Sequence, residues 1–293
     1  MPGILDGGTF PGTEAPDLAP ATETADSKQE ESAVLVMTDI HYGRKTSSYN
    51  PSVCLERLDR VGAHLARVRQ LLAEYYITEL VIALIGDVND GTDIYATQPH
   101  HQAITNVEHQ ARELSTYLAH WLEKQSQVWP SIRVEAVPGN HGRAGRFAHE
   151  AANWDIVAYR YLEYQARALN IPVNIGEGDD LFLRKVLIRG HNYLFYHGHD
   201  IRTFSNIPWY GMMLRLSRWL STSLAPFDVV CMGHFHTLGY WLINRIHLFE
   251  SGTMITDDEW ALRTFGWESA SRWWLFGVSN SRPVTWQFTI DLT

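Results

Sequence analysis

The chain has 293 residues, of which 45% are hydrophobic and 19% are charged, and its net charge is −9. Its two cysteines are too few for a disulfide-stabilised scaffold or a cysteine-rich zinc site, and no apolar stretch reaches the roughly 20 residues that cross a bilayer. We therefore expect a cytoplasmic globular protein without a signal peptide and without a membrane contact.

The charge is concentrated at the start of the chain. Residues 1–32 hold seven acidic side chains against Lys28, so the remainder carries a net charge of −3. This segment has no hydrophobic period, which predicts a disordered acidic tail over 1–32 and a single domain over 33–293. The near-neutral domain gives no electrostatic argument for nucleic acid and does not exclude it, because bound cations would add positive charge.

Strands and helices alternate in the first half of the domain and strands dominate the second. Apolar runs predict strands at 33–41, 79–90, 132–143, 181–199 (two strands), 228–236, 240–255 (one or two strands), 272–279 and 284–292. Helical spacing predicts helices at 53–76, about 101–124, 147–169 and 208–224. The last helix could cap a site or form a dimer contact. This order predicts an α/β sandwich with sheets inside and helices outside.

Ligand-type side chains follow five of the predicted strands. The five motifs are Asp39-Ile40-His41, Gly86-Asp87-Val88-Asn89-Asp90, Gly139-Asn140-His141, His197-Gly198-His199 and Gly233-His234-Phe235-His236. Any one of them is explained equally well as a polar turn. Ligands in open α/β folds bind outside the carboxyl ends of the strands, so five such motifs in succession indicate one shared site.

The five motifs resemble the signature of the calcineurin-like metallophosphoesterase superfamily, over about residues 33–255. The variant "GNHGR" and the compact size are similar to phosphoesterases of phage and archaeal genomes, related to the catalytic core of break-repair nucleases. The resemblance implies a single-domain, four-layer α-β-β-α sandwich and a metal-dependent phosphoesterase with two divalent ions at one end.

The resemblance also implies a role for each matching residue. One ion would be held by Asp39, His41 and His236. The other would be held by Asn140, His197 and His234. Asp87 would bridge the two ions, His141 would act as the general acid at the scissile phosphate, and Asp90 would orient His141.

The chemistry of these side chains agrees with such a centre. Imidazole, carboxylate and amide ligands suit Mn²⁺, Fe or Zn²⁺ better than Ca²⁺, and we favour Mn²⁺, with Fe, Zn²⁺ or Mg²⁺ as alternatives. Two ions about 3.5–4 Å apart need an anionic bridge to offset their repulsion. Arg44, Arg143 and Arg146 follow the motifs and could contact phosphate or remain solvated. His199 could lie beside the metal ligands, but we expect it at the surface.

Three functions remain open at this point. We expect a phosphodiesterase, in particular a nuclease, acting on nucleic acid or a nucleotide; the alternatives are a phosphomonoesterase (a protein phosphatase or a nucleotidase) and a non-catalytic scaffold. Gly91 and Gly142 stand where protein phosphatases carry an arginine and an acid, which argues against that class. The complete ligand set argues against a scaffold. A homodimer is compatible with the sequence.

Overall fold

The computed structural model describes residues 29–176 and 182–293. The strands are β1 (Glu30–Met37), β2 (Tyr76–Ile85), β3 (Ile132–Val137), β4 (Val173–Ile175), β5 (Leu183–Ile188), β6 (His191–Tyr196), β7 (Val229–Met232), β8 (Gly239–Ile243), β9 (Ile246–Glu250), β10 (Arg272–Ser279) and β11 (Gln287–Asp291). The helices are α1 (Pro51–Leu71), α2 (Val107–Ser126), α3 (Trp154–Ala166), α4 (Pro208–Trp219) and α5 (Glu259–Phe265), with 3-10 turns at Gln98–His101 and Arg167–Leu169. Over the described ranges, no helix combines the length and the apolar character needed to cross a membrane.

Two sheets form the centre of the fold. The first has the order β11-β10-β1-β2-β3-β4, with β1 to β4 parallel to one another and β10 and β11 antiparallel. The second has the order β5-β6-β7-β9-β8, in which β6, β7 and β9 are parallel. Parallel strands of this kind are covered on both faces, which explains why they read as continuous apolar runs.

The two faces of β1 show how the layers pack. Leu35 lies in a core with residues of α1, α2 and α3, whereas Val34 and Val36 lie in a second core with Tyr193 and Phe195 of the other sheet. The outer face of that sheet packs against α4 in a third core. Each large apolar side chain buried in this way contributes roughly 1.5–3 kcal/mol. The α-β-β-α sandwich expected from the sequence is therefore confirmed.

Backbone hydrogen bonds hold the carboxyl ends of neighbouring strands together. Asp39 N donates to Gly86 O at 3.1 Å, which joins the segments after β1 and β2, and Gly233 N donates to His197 O at 3.1 Å, which joins those after β6 and β7. Gly86 has a φ of +75°, and a Cβ there would collide with the backbone of Gly139. The glycine thus permits the close approach of the loops after β2 and β3.

The element boundaries differ from the predicted ones where side chains cap helices. Helix α2 begins at Val107 because Asn106 Oδ1 accepts from the Glu108 and His109 backbone nitrogens, and α3 begins at Trp154 after the cap Asn153. Helix α4 ends at Trp219, five residues before the predicted end. The short β4 and α5 were not predicted, because three and seven residues give little periodic signal.

The predicted boundary of the acidic tail also needs correction. Strand β1 begins at Glu30, three residues before the expected start of the domain, because Glu31 and Ser32 already pair with β10 and Arg189 binds Glu30. Residues 1–28, which make up most of the predicted disordered tail, lie outside the described residues.

Candidate metal centre

The seven predicted ligands lie at one edge of the sandwich and come from both sheets. They are Asp39 and His41 after β1, Asp87 after β2, Asn140 after β3, His197 after β6, and His234 and His236 after β7. All are buried except His234, which is half-buried. Segments that are far apart in the chain are therefore brought together by the parallel strands of two sheets.

The first group contains Asp39, His41 and His236, whose ligand atoms all lie within 4.8 Å of one another. The Nε2 atoms of His41 and His236 are 3.1 Å apart, and Asp39 Oδ1 is 3.6 Å from the former and 3.3 Å from the latter. Asp39 Oδ1 is buried and has no hydrogen-bond partner among the described residues. This group can hold one cation.

The second group contains Asp87, His197 and His234, again within 4.8 Å. His197 Nε2 lies 3.0 Å from Asp87 Oδ2 and 3.1 Å from Asn140 Oδ1, which adds the fourth predicted residue. The groups are linked, since His234 N donates to Asp39 Oδ2 at 2.8 Å. This group can hold a second cation.

The hydrogen bonds of two imidazoles direct their lone pairs into the centre. His197 Nδ1 must donate to Ile85 O at 2.8 Å, so its neutral Nε2 turns a lone pair to Asp87 and Asn140 oxygens. His236 Nδ1 likewise faces Asp258 Oδ2 at 2.5 Å, so its Nε2 lone pair faces Asp39. Lone pairs facing carboxylate oxygens repel unless a proton or a cation lies between them. The residues therefore fit a bound divalent metal.

The electrostatic field of the carboxylates favours positive charge at the same place. Burial lowers the pKa of His197, but the charge and hydrogen bond of Asp87 outweigh it and raise this pKa to about 9. Burial likewise lowers the pKa of His236, and Asp258 and Asp39 raise it to about 10. His234 differs, because burial and the charge of His197 hold its pKa well below the ordinary value. Protons and metal ions therefore compete for these nitrogens.

Five of the predicted ligands adopt a left-handed backbone conformation that non-glycine residues rarely take. Their φ values are 51° for Asp39, 50° for His41, 50° for Asp87, 78° for His234 and 54° for His236. Such conformations cost on the order of 1–3 kcal/mol each and persist only where the surroundings enforce them. The backbone of the strand-end loops thus directs these side chains into the centre and lowers local stability in doing so.

His141 and Asp90 lie next to the first group. His141 Nδ1 is 3.0 Å from the Asp90 carbonyl oxygen, to which it must donate, and 3.6 Å from Asp90 Oδ1. Burial raises the pKa of Asp90, but hydrogen bonds from His141 and His41 and the charge of Arg44 bring it well below the usual range. The Asp90 carbonyl oxygen therefore fixes the orientation of the His141 ring, with the ionised Asp90 carboxylate beside it.

Only one of the three predicted arginines lines the cavity above these groups, which has a volume of about 500 Å³. Arg44 Nη1 lies 3.5 Å from Asp90 Oδ1, and its Nη2 lies 3.6 Å from Asp258 Oδ1. Arg143 Nε donates to Asn140 O, and its guanidinium interacts with Tyr95 of the cavity wall, whereas Arg146 is exposed beside the Phe147 ring. The phosphate contacts of all three arginines stay predictions from the sequence.

The expected surface position of His199 is wrong. Its side chain is 14% exposed, lines the cavity, and has its Nε2 3.4 Å from Glu150 Oε1. Its ring centroid is 6.4 Å from that of His234. Strand β6 ends before His197 and Gly198 has a φ of +112°, and this turn brings the His199 ring to a centroid distance of 5.7 Å from that of His197.

Two buried carboxylates that support the site were not predicted. Asp155 accepts hydrogen bonds from the backbone nitrogens of Asp87, Asn89 and Gly139, at 2.9, 3.1 and 2.9 Å. Asp258 caps α5 and holds His236. Both aspartates lie at the start of a helix. Sequence patterns there predict that an acidic residue stabilises the helix end, but they do not predict a hydrogen bond to a distant loop.

Comparisons with known proteins were made for the whole chain. The sequence profile of the family described as calcineurin-like phosphoesterase matches residues 32–245. No curated protein sequence matches the chain.

The solved structures that match the chain include the following three. Wild-type Vps29 from Entamoeba histolytica, complexed with zinc, is 11% identical with a TM-score of 0.39, and the match covers 89% of this chain and 99% of that one. A novel archaeal phosphodiesterase is 11% identical with a TM-score of 0.39 and coverages of 88% and 99%. A hypothetical protein from Pyrococcus horikoshii OT3 is 10% identical with a TM-score of 0.42 and coverages of 89% and 88%.

Proposed function

This chain belongs to the calcineurin-like phosphoesterase family and is a metal-dependent phosphoester hydrolase, and from that premise we propose that it cleaves phosphodiester bonds in nucleic acids or nucleotides. The observation that carries the proposal is the convergence of imidazole lone pairs and carboxylate oxygens from both sheets below one cavity. Cytoplasmic location and a homodimer stay predictions from the sequence.

We assign two divalent ions to the centre, with Mn²⁺ favoured. Asp39, His41 and His236 would hold one ion, Asn140, His197 and His234 the other, and Asp87 would contact both. When bound, such ions lower the pKa of water and stabilise the negative charge that develops on phosphoryl oxygens. The part of the chain that we assign to substrate is the set of cavity residues beside these ligands.

His141 is assigned the role of general acid. Its Nδ1 is engaged by Asp90, which leaves Nε2 without a hydrogen bond to any described residue. In the imidazolium form, Nε2 donates its proton to the alkoxide oxygen that leaves phosphorus, while water supplies the oxygen of the new bond. Arg44, which lines the same cavity, is placed to bind a phosphoryl oxygen.

A substrate panel tests the proposed reaction. The purified protein with Mn²⁺ is assayed on bis-p-nitrophenyl phosphate, p-nitrophenyl phosphate, and single- and double-stranded DNA. We expect hydrolysis of the diester and of DNA. Activity on the monoester alone would indicate a phosphomonoesterase and overturn the proposal, and inactivity without bound transition metal would indicate a scaffold.

Replacing His141 tests the role of the acid. We expect His141→Ala to keep its metal content and to lose about 10²–10⁴-fold in turnover of DNA, with a smaller loss on p-nitrophenyl esters, whose leaving group needs less protonation. His120→Ala, at an exposed position on α2, is the matched control. Loss of metal from His141→Ala would show that His141 is a ligand and not the acid.

A further inference from the structure

A second cavity of about 680 Å³ adjoins the cavity over the candidate metal centre. The two cavities share four wall residues, Arg44, His101, Asp258 and Glu259. None of the seven predicted metal ligands lines the second cavity. A group bound there would therefore lie beside the reacting phosphorus and away from the ions.

The walls of the two cavities differ in chemistry. The cavity over the metal centre includes the exposed rings of Tyr95 and Trp260, which are 44% and 36% exposed. The second cavity has no aromatic carbocycle in its wall, and Leu262 is its single aliphatic side chain larger than threonine. An aromatic group thus fits the first cavity and a polar group fits the second.

The second cavity carries charges of both signs, with four acidic side chains against two cationic ones. Its cationic side chains are Arg44 and Lys45, with His100 and His101 beside them, and its acidic side chains are Asp257, Asp258, Glu259 and Glu268. Hydroxyls of Ser47 and Thr256 add groups that both donate and accept. The excess of acidic side chains disfavours an anionic group, and the hydroxyls and charges of both signs offer hydrogen-bond donors and acceptors. Such a wall suits a neutral group that carries several hydroxyls.

We propose that the second cavity binds the hydroxyl-bearing substituent of a phosphodiester, such as a sugar or a glycerol, while an aromatic-bearing substituent lies against Tyr95 and Trp260. This inference rests on the proposed function, because a phosphomonoester has no second substituent. Hydrolysis breaks the P–O bond to the leaving group beside His141, which takes the proton, and forms a P–O bond to the water oxygen. The hydroxyl-bearing substituent remains on the phosphorus.

The test uses a substitution that narrows the second cavity and leaves the residues of the metal centre unchanged. Leu262 is 55% exposed on α5 and lines the second cavity but not the first, so Leu262→Trp adds bulk where the substituent is placed. Leu214→Trp is the matched control, because Leu214 is 53% exposed on α4 and lines neither cavity. Thermal unfolding of both variants checks that they fold.

Three substrates share one leaving group and differ in the second substituent: the methyl, glyceryl and thymidine 5′-diesters of p-nitrophenyl phosphate. We expect Leu262→Trp to lower kcat/KM about 10-fold or more for the glyceryl or thymidine ester, and to change the methyl ester by less than about twofold. The ester with the larger fall identifies the source of the hydroxyls. Equal effects on all three esters, or no effect, would overturn the inference.

A binding measurement separates this result from catalysis. Calorimetry with thymidine 5′-(4-nitrobenzylphosphonate), in which a P–C bond replaces the P–O bond to the leaving group, should show about 5-fold weaker binding to Leu262→Trp than to the parent protein, and unchanged binding of the methyl 4-nitrobenzylphosphonate. Equal binding of the thymidine phosphonate by both proteins would overturn the inference. If the parent protein hydrolyses none of the three diesters, the proposed function fails, which is a different outcome from a failure at the second cavity.

Discussion

Single buried carboxylates next to the candidate ligands determine how firmly the imidazoles are held. Asp258 is the clearest case, because one oxygen accepts from His236 Nδ1 and the other accepts from Trp260 N as the cap of α5. Burial raises the pKa of Asp258, but the charge and hydrogen bond of His236 bring it well below its usual range. A carboxylate behind a histidine raises its basicity towards a metal.

The first prediction removes that negative charge. Asp258→Asn keeps a good helix cap and should weaken Mn²⁺ binding about 10–100-fold, measured by calorimetric titration of the metal-stripped protein. Asp257→Asn is the control, because Asp257 is the neighbouring aspartate and its side chain accepts hydrogen bonds from Ser47 and Ser48 rather than from a candidate ligand. Equal affinities of the two variants would show that Asp258 does not support His236 as a ligand.

Glu250, at the end of β9, is a second unusual carboxyl. It is fully buried, and neither of its oxygens has a hydrogen-bond partner among the described residues. Burial and then the charge of Asp39 raise its pKa well above the ordinary value of 4.5. The folded protein therefore keeps a proton that the unfolded chain releases, and the free energy of unfolding falls as pH rises above 4.5.

The second prediction follows from that sign. In metal-stripped protein, Glu250→Gln should match the parent near pH 4.5 and become relatively more stable by about 1.4 kcal/mol per pH unit above it, until the folded carboxyl ionises. Urea unfolding at several pH values measures this difference. The exposed Glu123→Gln is the control and should show no such trend. A constant difference across pH would mean that Glu250 is ionised in the folded protein.

At the scale of elements, helix α3 positions two strand-end loops through its first turn. Asp155 binds backbone nitrogens on both sides of the gap between the ends of β2 and β3, so the helix start fixes the loop of Asp87 and that of Asn140 together. Asn153, the cap of α3, adds a bond from its Nδ2 to Gly139 O at 2.8 Å. The position of α3 therefore affects both candidate cation sites.

The third prediction tests this arrangement. Asp155→Asn places an amide among backbone donors, which leaves at least one of them unpaired, and should cost about 3 kcal/mol of unfolding free energy together with most of the metal affinity. Urea unfolding and metal analysis measure the two losses. Asp59→Asn, on the exposed side of α1, is the control. Unchanged metal content in Asp155→Asn would show that α3 does not position the metal-binding loops.

The sequence predicted the strands and the location of the site well, but it did not predict the side chains that hold the loops in place. Long apolar runs identified β1, β2 and β3, and the glycines and ligand-type residues after them located the edge where the site lies. The loop partners Asp155 and Asp258 could not be found, because a carboxylate that bonds a distant backbone leaves no periodic pattern. The position of His199 was predicted wrongly, and the sequence could not distinguish among Arg44, Arg143 and Arg146 as phosphate contacts. In both cases the residue lies in a loop, where the sequence does not determine which way a side chain points.

At the scale of the whole molecule, the candidate centre joins the two sheets. Asp39, His41, Asp87 and Asn140 follow strands of the first sheet, whereas His197, His234 and His236 follow strands of the second. Each proposed cation has ligands from both sheets. Because the strained ligand loops lie between the two sheets, bound cations would add a further connection between layers that share an apolar core.

The fourth prediction concerns this connection. Mn²⁺ at 100 times its Kd should stabilise the folded protein by about 2.7 kcal/mol per site, which raises Tm by roughly 4–5 °C for one site in a chain of this size. Scanning calorimetry of stripped and Mn²⁺-supplemented protein measures the shift. Asp87→Ala should lose at least half of it, because the shared carboxylate contributes to both sites, while Asp59→Ala should keep all of it. If Asp87→Ala retained the full shift with both ions bound, Asp87 would not bridge the cations, and the two sheets would be joined by independent sites.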